Sequence, residues 1–440
     1  MIKIFLNKKR IFSIVFTAVI TFSVLFFHGN TTFAVVNNLP SEAPSGVSYM
    51  VYECDTKQTL MKQNIEMQAD SSLLSRLMTC LLVLENPSIS VTDYVSPSED
   101  STASSGRYTL SASNQYMVDH LIKAVVLCNA DNAARVLADK LNPNREYFVS
   151  LMNQKAIELG MKNTYFTNVD GSIDELQRTT VQDMTLFWSY AMNNAQFRNI
   201  ASNPAAHIWG GTAVLNECLM VSNNTFENAS STAGAAGVYT SESNLTTIMF
   251  YLISKQTDNT PAVKLTFIIT GLTGDLANET GENYINNVFT NFKKTALITK
   301  LDLITSVEIG GNELLLTAGE TRYCMMPTDV SDYIENISYN ITDKNAVASV
   351  PGKAASLDDL EAPIEKGSII GTANYLLKDG SIHTVNNIAG NSIHSDSRTI
   401  NLFYKAIQEN TDIFILISVL VIIEILLILG LIFSKLRKRF

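Results

Sequence analysis

Three serines, Ser71, Ser72 and Ser75, stand at the head of a leucine-rich run. A serine hydroxyl becomes a nucleophile when a base lies within reach, and on a helix the residue three positions on shares its face. Those positions hold Leu74, Ser75 and Met78, and none is a base. The five histidines (His28, His120, His207, His383, His394) form no HExxH or HxH pair, and the spacing calls for no metal and no cofactor. The five cysteines (Cys54, Cys80, Cys128, Cys218, Cys324) are odd in number and show no CxxC, so buried single thiols are expected rather than a disulfide framework. With 32 Lys+Arg against 42 Asp+Glu and a formal charge of −10, the chain offers no broad basic surface, so nucleic acid is not expected as a partner.

The elements that must position any such groups can be read from hydrophobic spacing. A chain of 440 residues, 46% hydrophobic and 17% charged, is too apolar for disorder and long enough for about two domains. Val47, Tyr49 and Val51 alternate with Ser48 and Met50 and predict a strand with one face well buried. Leu73, Leu74, Leu77, Leu81 and Leu84 predict a helix over 72–85, stopped ahead of Pro87. A second apolar helix is expected over 117–140 with a break near Asn129, and amphipathic helices over 146–160 and 180–194. Val263–Thr270 reads as a buried strand. From about 297 the pattern turns to strands alone: 306–309 and 313–317 flank Gly310-Gly311-Asn312, a hairpin signal, and Ile337, Tyr339 and Ile341 alternate with polar residues.

Both ends differ from this acidic body. Residues 1–34 carry Lys3, Lys8, Lys9 and Arg10 and no acid, followed by an apolar run over 11–27 and a Thr32-Phe33-Ala34 ending. That is the pattern of a secretory signal cut after Ala34, a retained anchor being the alternative. Residues 413–433 are apolar apart from Ser418 and Glu424, and about 21 residues at 1.5 Å rise span the ~30 Å hydrocarbon layer. Lys435, Arg437, Lys438 and Arg439 follow, which places a cytoplasmic tail at 434–440 and the body outside. Glu424 within the span is expected either to contact a partner helix or to be tolerated there.

Several stretches, taken in order, resemble the serine D-alanyl-D-alanine carboxypeptidases, the low-molecular-mass penicillin-binding proteins. They are Leu77-Met78-Thr79 with Leu81, Leu82, Leu84 and Glu85; Leu159-Gly160-Met161-Lys162-Asn163-Thr164-Tyr165-Phe166-Thr167-Asn168; Thr180 to Leu186 with Asp183-Met184; and Ala362-Pro363-Ile364-Glu365-Lys366-Gly367, ending at Gly371. Read for packing alone, the second stretch is a helix end with a glycine stop and a polar turn. The resemblance implies an α+β architecture: a β-lactamase/transpeptidase-like domain with an antiparallel sheet and helices at 35–296, then a small all-β domain at 297–400. A linker at 401–412 leads to the transmembrane helix.

The chemistry of that family needs three motifs to converge. In register with Leu77-Met78-Thr79, Leu73 stands where S-x-x-K has its serine and Arg76 where it has its lysine. Leucine has no nucleophilic atom, and arginine stays protonated and cannot accept the proton. Ser72 is the fallback nucleophile, one residue and ~100° around the helix from that position; Ser71 or Ser72 is expected instead to cap the helix start. The S-x-N motif is replaced by Asn129-Ala130-Asp131, with no hydroxyl at 129 and a negative charge at 131. K-T-G is replaced by Thr232-Ala233-Gly234, and no Lys or Arg occurs between Arg198 and Lys255. Removing one member of a catalytic unit already costs orders of magnitude in rate.

The resulting expectation is a membrane-anchored, extracytoplasmic pseudoenzyme of the cell wall, binding the peptidoglycan stem peptide or a wall-synthesis protein. An active carboxypeptidase using Ser72, and an interaction module acting through its anchor helix, are the alternatives.

Overall fold

The computed structural model describes residue 44 and residues 46–102, 108–221, 229–239, 246–256, 261–342 and 355–394, together with 415, 419–426 and 428–429. The signal segment 1–34 and most of the predicted span 413–433 lie outside them. Of that span the described residues are helical and exposed, and among the described residues no helix is long and apolar enough to cross a membrane.

The first domain is built on a five-stranded antiparallel sheet. Its strands are β1 (Ser48–Glu53), β2 (Gln58–Gln63), β3 (Ala229–Tyr239), β4 (Thr246–Ser254) and β5 (Lys264–Leu272), in the spatial order β2-β1-β5-β4-β3. Successive side chains of a strand point to opposite faces, and here each face has its own core. Met50, Met249, Tyr251 and Ile268 join a large helical core. Their neighbours Tyr49, Val51, Ile248, Phe250, Leu252, Phe267 and Ile269 join a second one. This corrects the expectation for the first strand: both of its faces are buried, because β1 sits inside the sheet between two layers.

The larger layer holds α1 (Ser72–Glu85), α2 (Val118–Cys128), α3 (Asp131–Leu141), α4 (Arg145–Glu158), α5 (Val181–Ala191) and α6 (Ala195–Ala201). α1 has the boundaries that its leucine spacing predicts and is buried almost all round, as expected for a helix whose apolar residues are not confined to one stripe. The long apolar segment is two helices, because Asn129 adopts the left-handed conformation (φ 57°, ψ 36°) that ends α2, a conformation asparagine tolerates better than most residues. Thr180 caps α5 by accepting from the Asp183 N–H at 3.2 Å. On the opposite face α7 (Gly274–Asn291) places Ala277, Tyr284, Ile285 and Val288 in the smaller core.

β6 (Phe292–Ile298) leads into the second domain by pairing with β9 (Arg322–Pro327), so a boundary at 296 falls inside a strand. β7 (Leu303–Ile309), β8 (Asn312–Ala318), β10 (Ile334–Ile341), β11 (Ile369–Leu377) and β12 (Ile382–Ala389) form a sheet in the order β7-β8-β12-β11-β10. Gly310 and Gly311 turn the β7–β8 hairpin at φ 57° and 83°, the positive values that a tight two-residue hairpin loop demands. Ile364 and Gly367 of the family-like stretch hold the 364–367 segment to this sheet, through Ile393 and Ala389.

Polar groups lock the two domains together. Gln58 of β2 is fully buried; its amide donates to Met325 O at 3.0 Å and Asp379 Oδ2 at 2.9 Å and accepts from Met325 N at 2.6 Å. Lys294 Nζ donates to Glu53 Oε1 at 2.7 Å, Asp55 Oδ2 at 3.0 Å and Ala262 O at 2.9 Å. All five cysteines are single thiols, four buried and Cys54 half-buried; burial pushes Cys54 up to about 11 and Cys218 up to about 12.

Candidate functional site

The three stretches aligned above with the family motifs sit on elements that pack together: α1 lies against α2, α3 and α6, and α2 and α6 lie against β3. At the head of α1, Ser71 occupies the cap position, but its side chain makes no cap bond. Asp70 does that work, its Oδ1 accepting from the Ser72 N–H at 2.7 Å. The expectation that Ser71 or Ser72 caps the helix is therefore corrected: an acid one residue before Ser71 accepts from the N–H of the first helical residue. Leu73 is fully buried in the helical core, while Ser72 is half-buried.

Arg76, 8% exposed, donates from Nη1 to the carbonyl of Asp170 at 2.9 Å, and its Nε is buried without an acceptor. Burial lowers the pKa of its guanidinium, and the nearby Asp131, Asp70 and Asp170 oppose that shift. The partner loop is pinned to α1 by Thr79 Oγ1, which donates to Val169 O at 2.7 Å. Its Gly171 has φ 72°, and a Cβ there would lie 2.2 Å from Ser72 O and 2.9 Å from Arg76 Nη1. Only glycine allows this loop to close on the start of α1.

Asp131 and Asp170 are bridged by one guanidinium, Arg135, at 3.1 Å to each. Asp170 also accepts from the Ser172 N–H at 3.0 Å and hydroxyl at 2.8 Å. Arg76 and Asp131 are thus brought into one charge network with Arg135 and Asp170, which sequence spacing did not single out. Asn129 turns the other way and donates from Nδ2 to Glu217 Oε2 at 2.6 Å. Asn132 is buried and bonds to the carbonyl of Tyr108.

In β3, Thr232 pairs with Leu252 and Gly234 with Tyr251, so Ala233 is the extra residue of a bulge. Gly234 lies against α5 and α6: a Cβ there would be 2.7 Å from Met192 Sδ and 3.3 Å from Ala201 Cβ. Asn216, also missed from sequence, ties this strand down by donating to Ala235 O at 3.0 Å. The Asn163-Thr164 and Asp183 stretches prove to be one unit, Asp183 Oδ2 accepting from Asn163 N at 2.7 Å and Thr164 Oγ1 at 2.8 Å; burial raises the Asp183 pKa against these bonds.

Compared with known proteins, residues 36–283 match the family of D-alanyl-D-alanine carboxypeptidases, peptidase family S11, over more than half of the chain. The chain belongs to that family. It is 29% identical over 154 residues to the D-alanyl-D-alanine carboxypeptidase DacF of Bacillus subtilis, covering 34% of this chain and 39% of that protein. It is 28% identical over 172 residues to DacC of Escherichia coli, covering 37% of this chain and 43% of that protein. The match therefore spans about two fifths of the length of these curated carboxypeptidases, 39% and 43%. Among solved structures, penicillin binding protein 5 of Haemophilus influenzae superposes with a TM-score of 0.61 at 20% identity, over 81% of this chain and 99% of that one. The fold is accordingly the α+β architecture of the penicillin-binding carboxypeptidases, second domain included.

Proposed function

We propose that this family member binds at its cleft without cleaving, as a pseudoenzyme of cell-wall metabolism held outside the membrane. The observation that carries the reading is the state of α1. In the family register, the nucleophile position is a carbon-only side chain sealed in the core, Leu73. The base position is Arg76, whose guanidinium is bound to the Asp170 carbonyl. A guanidinium remains charged and cannot deprotonate a hydroxyl. Asn129, Asp131, Thr232 and Gly234 supply neither the proton relay nor the carboxylate-binding cation that the resemblance calls for.

The ligand in this reading is the stem peptide of peptidoglycan or a protein of wall synthesis. Residues 1–34 direct export, 413–433 hold the chain in the membrane, and 434–440 remain in the cytoplasm. The scaffold supports a binding role, because Thr79, Gly171, Asp183 and Asn216 keep the surrounding loops in place although the chemical positions have changed.

The test is incubation of the full chain with a fluorescent penicillin and, separately, with a D-alanyl-D-alanine pentapeptide. No covalent label and no released D-alanine are expected. Stoichiometric labelling lost in Ser72→Ala would defeat this reading and establish Ser72 as a nucleophile.

A further inference from the structure

Beyond the two domains, residues 419–426 form a helix whose apolar side chains point in every direction. They are 46–62% exposed all the way round, so neither domain covers them. A helix that is apolar on all sides belongs in an apolar solvent, in keeping with the anchor proposed above, on which this inference rests. Glu424 is the exception on it: helical, exposed, and without a hydrogen bond or ion pair among the described residues.

Its depth gives the exception weight. The apolar stretch 413–433 has its midpoint at residue 423, which puts Glu424 about 1.5 Å from the bilayer centre and about 15 Å from either interface. A glutamate side chain cannot reach water over that distance, unlike the long stems of Lys and Arg that snorkel from helix ends. Ionisable groups at such depth pair with one another or with carbonyls of a facing helix. Ser418 is the only other polar side chain in 413–433, and residues six apart do not share a helix face. The span itself therefore has no group for Glu424.

A second copy does supply one. The basic tail orients every copy the same way, so two parallel helices carry their Glu424 side chains at one depth, and a two-fold axis sets like against like. A neutral carboxyl both donates and accepts, and in hydrocarbon the neutral form costs less than the charged one. Two such groups bond to each other reciprocally. Leu420 and Ile428, four residues to either side, share the face of Glu424 and are themselves uncovered, 56% and 52% exposed. We infer that the anchor helix is a self-association surface on which Glu424 pairs with its counterpart in a second copy of this chain.

The test uses the full chain, donor- and acceptor-labelled, in phosphatidylcholine vesicles, with energy transfer followed as the protein-to-lipid ratio is varied. Transfer that rises with this ratio as for a dimer is expected. Glu424→Leu should weaken association about tenfold, the scale of one or two interhelical hydrogen bonds. Glu424→Gln, which still donates and accepts, should stay close to the parent. Retention through an alkaline carbonate wash shows that each chain is inserted. Release of the parent by carbonate would defeat the anchor and this inference with it. An inserted chain that stays monomeric, a Glu424→Leu chain that associates as the parent does, or a Glu424→Gln chain that loses as much as Glu424→Leu, would overturn this inference and leave the anchor standing.

Discussion

Two buried cations, Lys294 at the domain junction and Arg76 near the start of α1, are treated in opposite ways. The Lys294 ammonium has three donors and three acceptors in reach, two of them carboxylates. Arg76 has five donors in a rigid fork, yet Nη1 meets a carbonyl and Nε meets nothing, while the nearby carboxylates of Asp131 and Asp170 are bridged by Arg135. A buried charge is tolerated when its geometry is complete and is a burden when it is not. The junction is built for stability. The start of α1 carries a residue whose bonding capacity the fold leaves partly unused.

The strongest way to break this contrast is Lys294→Met. It strands Glu53 as an uncompensated buried carboxylate and should cost about 3–5 kcal/mol in denaturant unfolding. The double change Glu53→Gln with Lys294→Met should recover much of that loss; a single variant close to the parent would show that the junction pair adds nothing.

A smaller effect is expected from pH on the same side of the molecule. His383, packed near Asp379, has its pKa lowered from 6.5, chiefly by burial, with Arg322 in the same direction and Asp379 opposing. The folded state therefore prefers the neutral ring. Its contribution is full above 6.5 and declines as the pH falls through that value toward the folded pKa. Unfolding midpoints measured from about pH 8 down to about pH 5 should drop on the acid side, and His383→Gln should flatten that limb.

The least change is expected from Arg76→Met, within about 1 kcal/mol of the parent, because it removes a desolvated charge along with its unmet donor. A loss as large as that of Lys294→Met would erase the distinction between the two regions.

How legible these regions were depends on where their partners lie in the chain. The α1 limits could be read because leucine spacing and Pro87 are local signals. α7 was missed: its sequence from Gly274 to Asn291 is polar, with Gly281 in its middle. That glycine lies against the sheet, where a Cβ would be 2.7 Å from Phe267. β3 was opaque as a strand because Ala, Ser, Thr and Gly dominate it, residues whose pairing is set by the neighbouring β4 rather than by propensity. Around α1, resemblance identified the positions to inspect, but Asp170, Gly171 and Glu217 reach α1 and Asn129 across about ninety residues of chain, separations of 94 for Arg76–Asp170 and 88 for Asn129–Glu217. No periodicity reports a contact of that kind.

The grip of Gln58 on the Met325 backbone also has a bearing on self-association. β2 is the outer strand of its sheet, and the second domain fastens onto it there. Growth of a fibril by strand-to-strand stacking requires a sheet with two open margins. Here the second domain is fixed on the first residue of that outer strand, so a strand adding at that end would have to displace the Gln58–Met325 bonds.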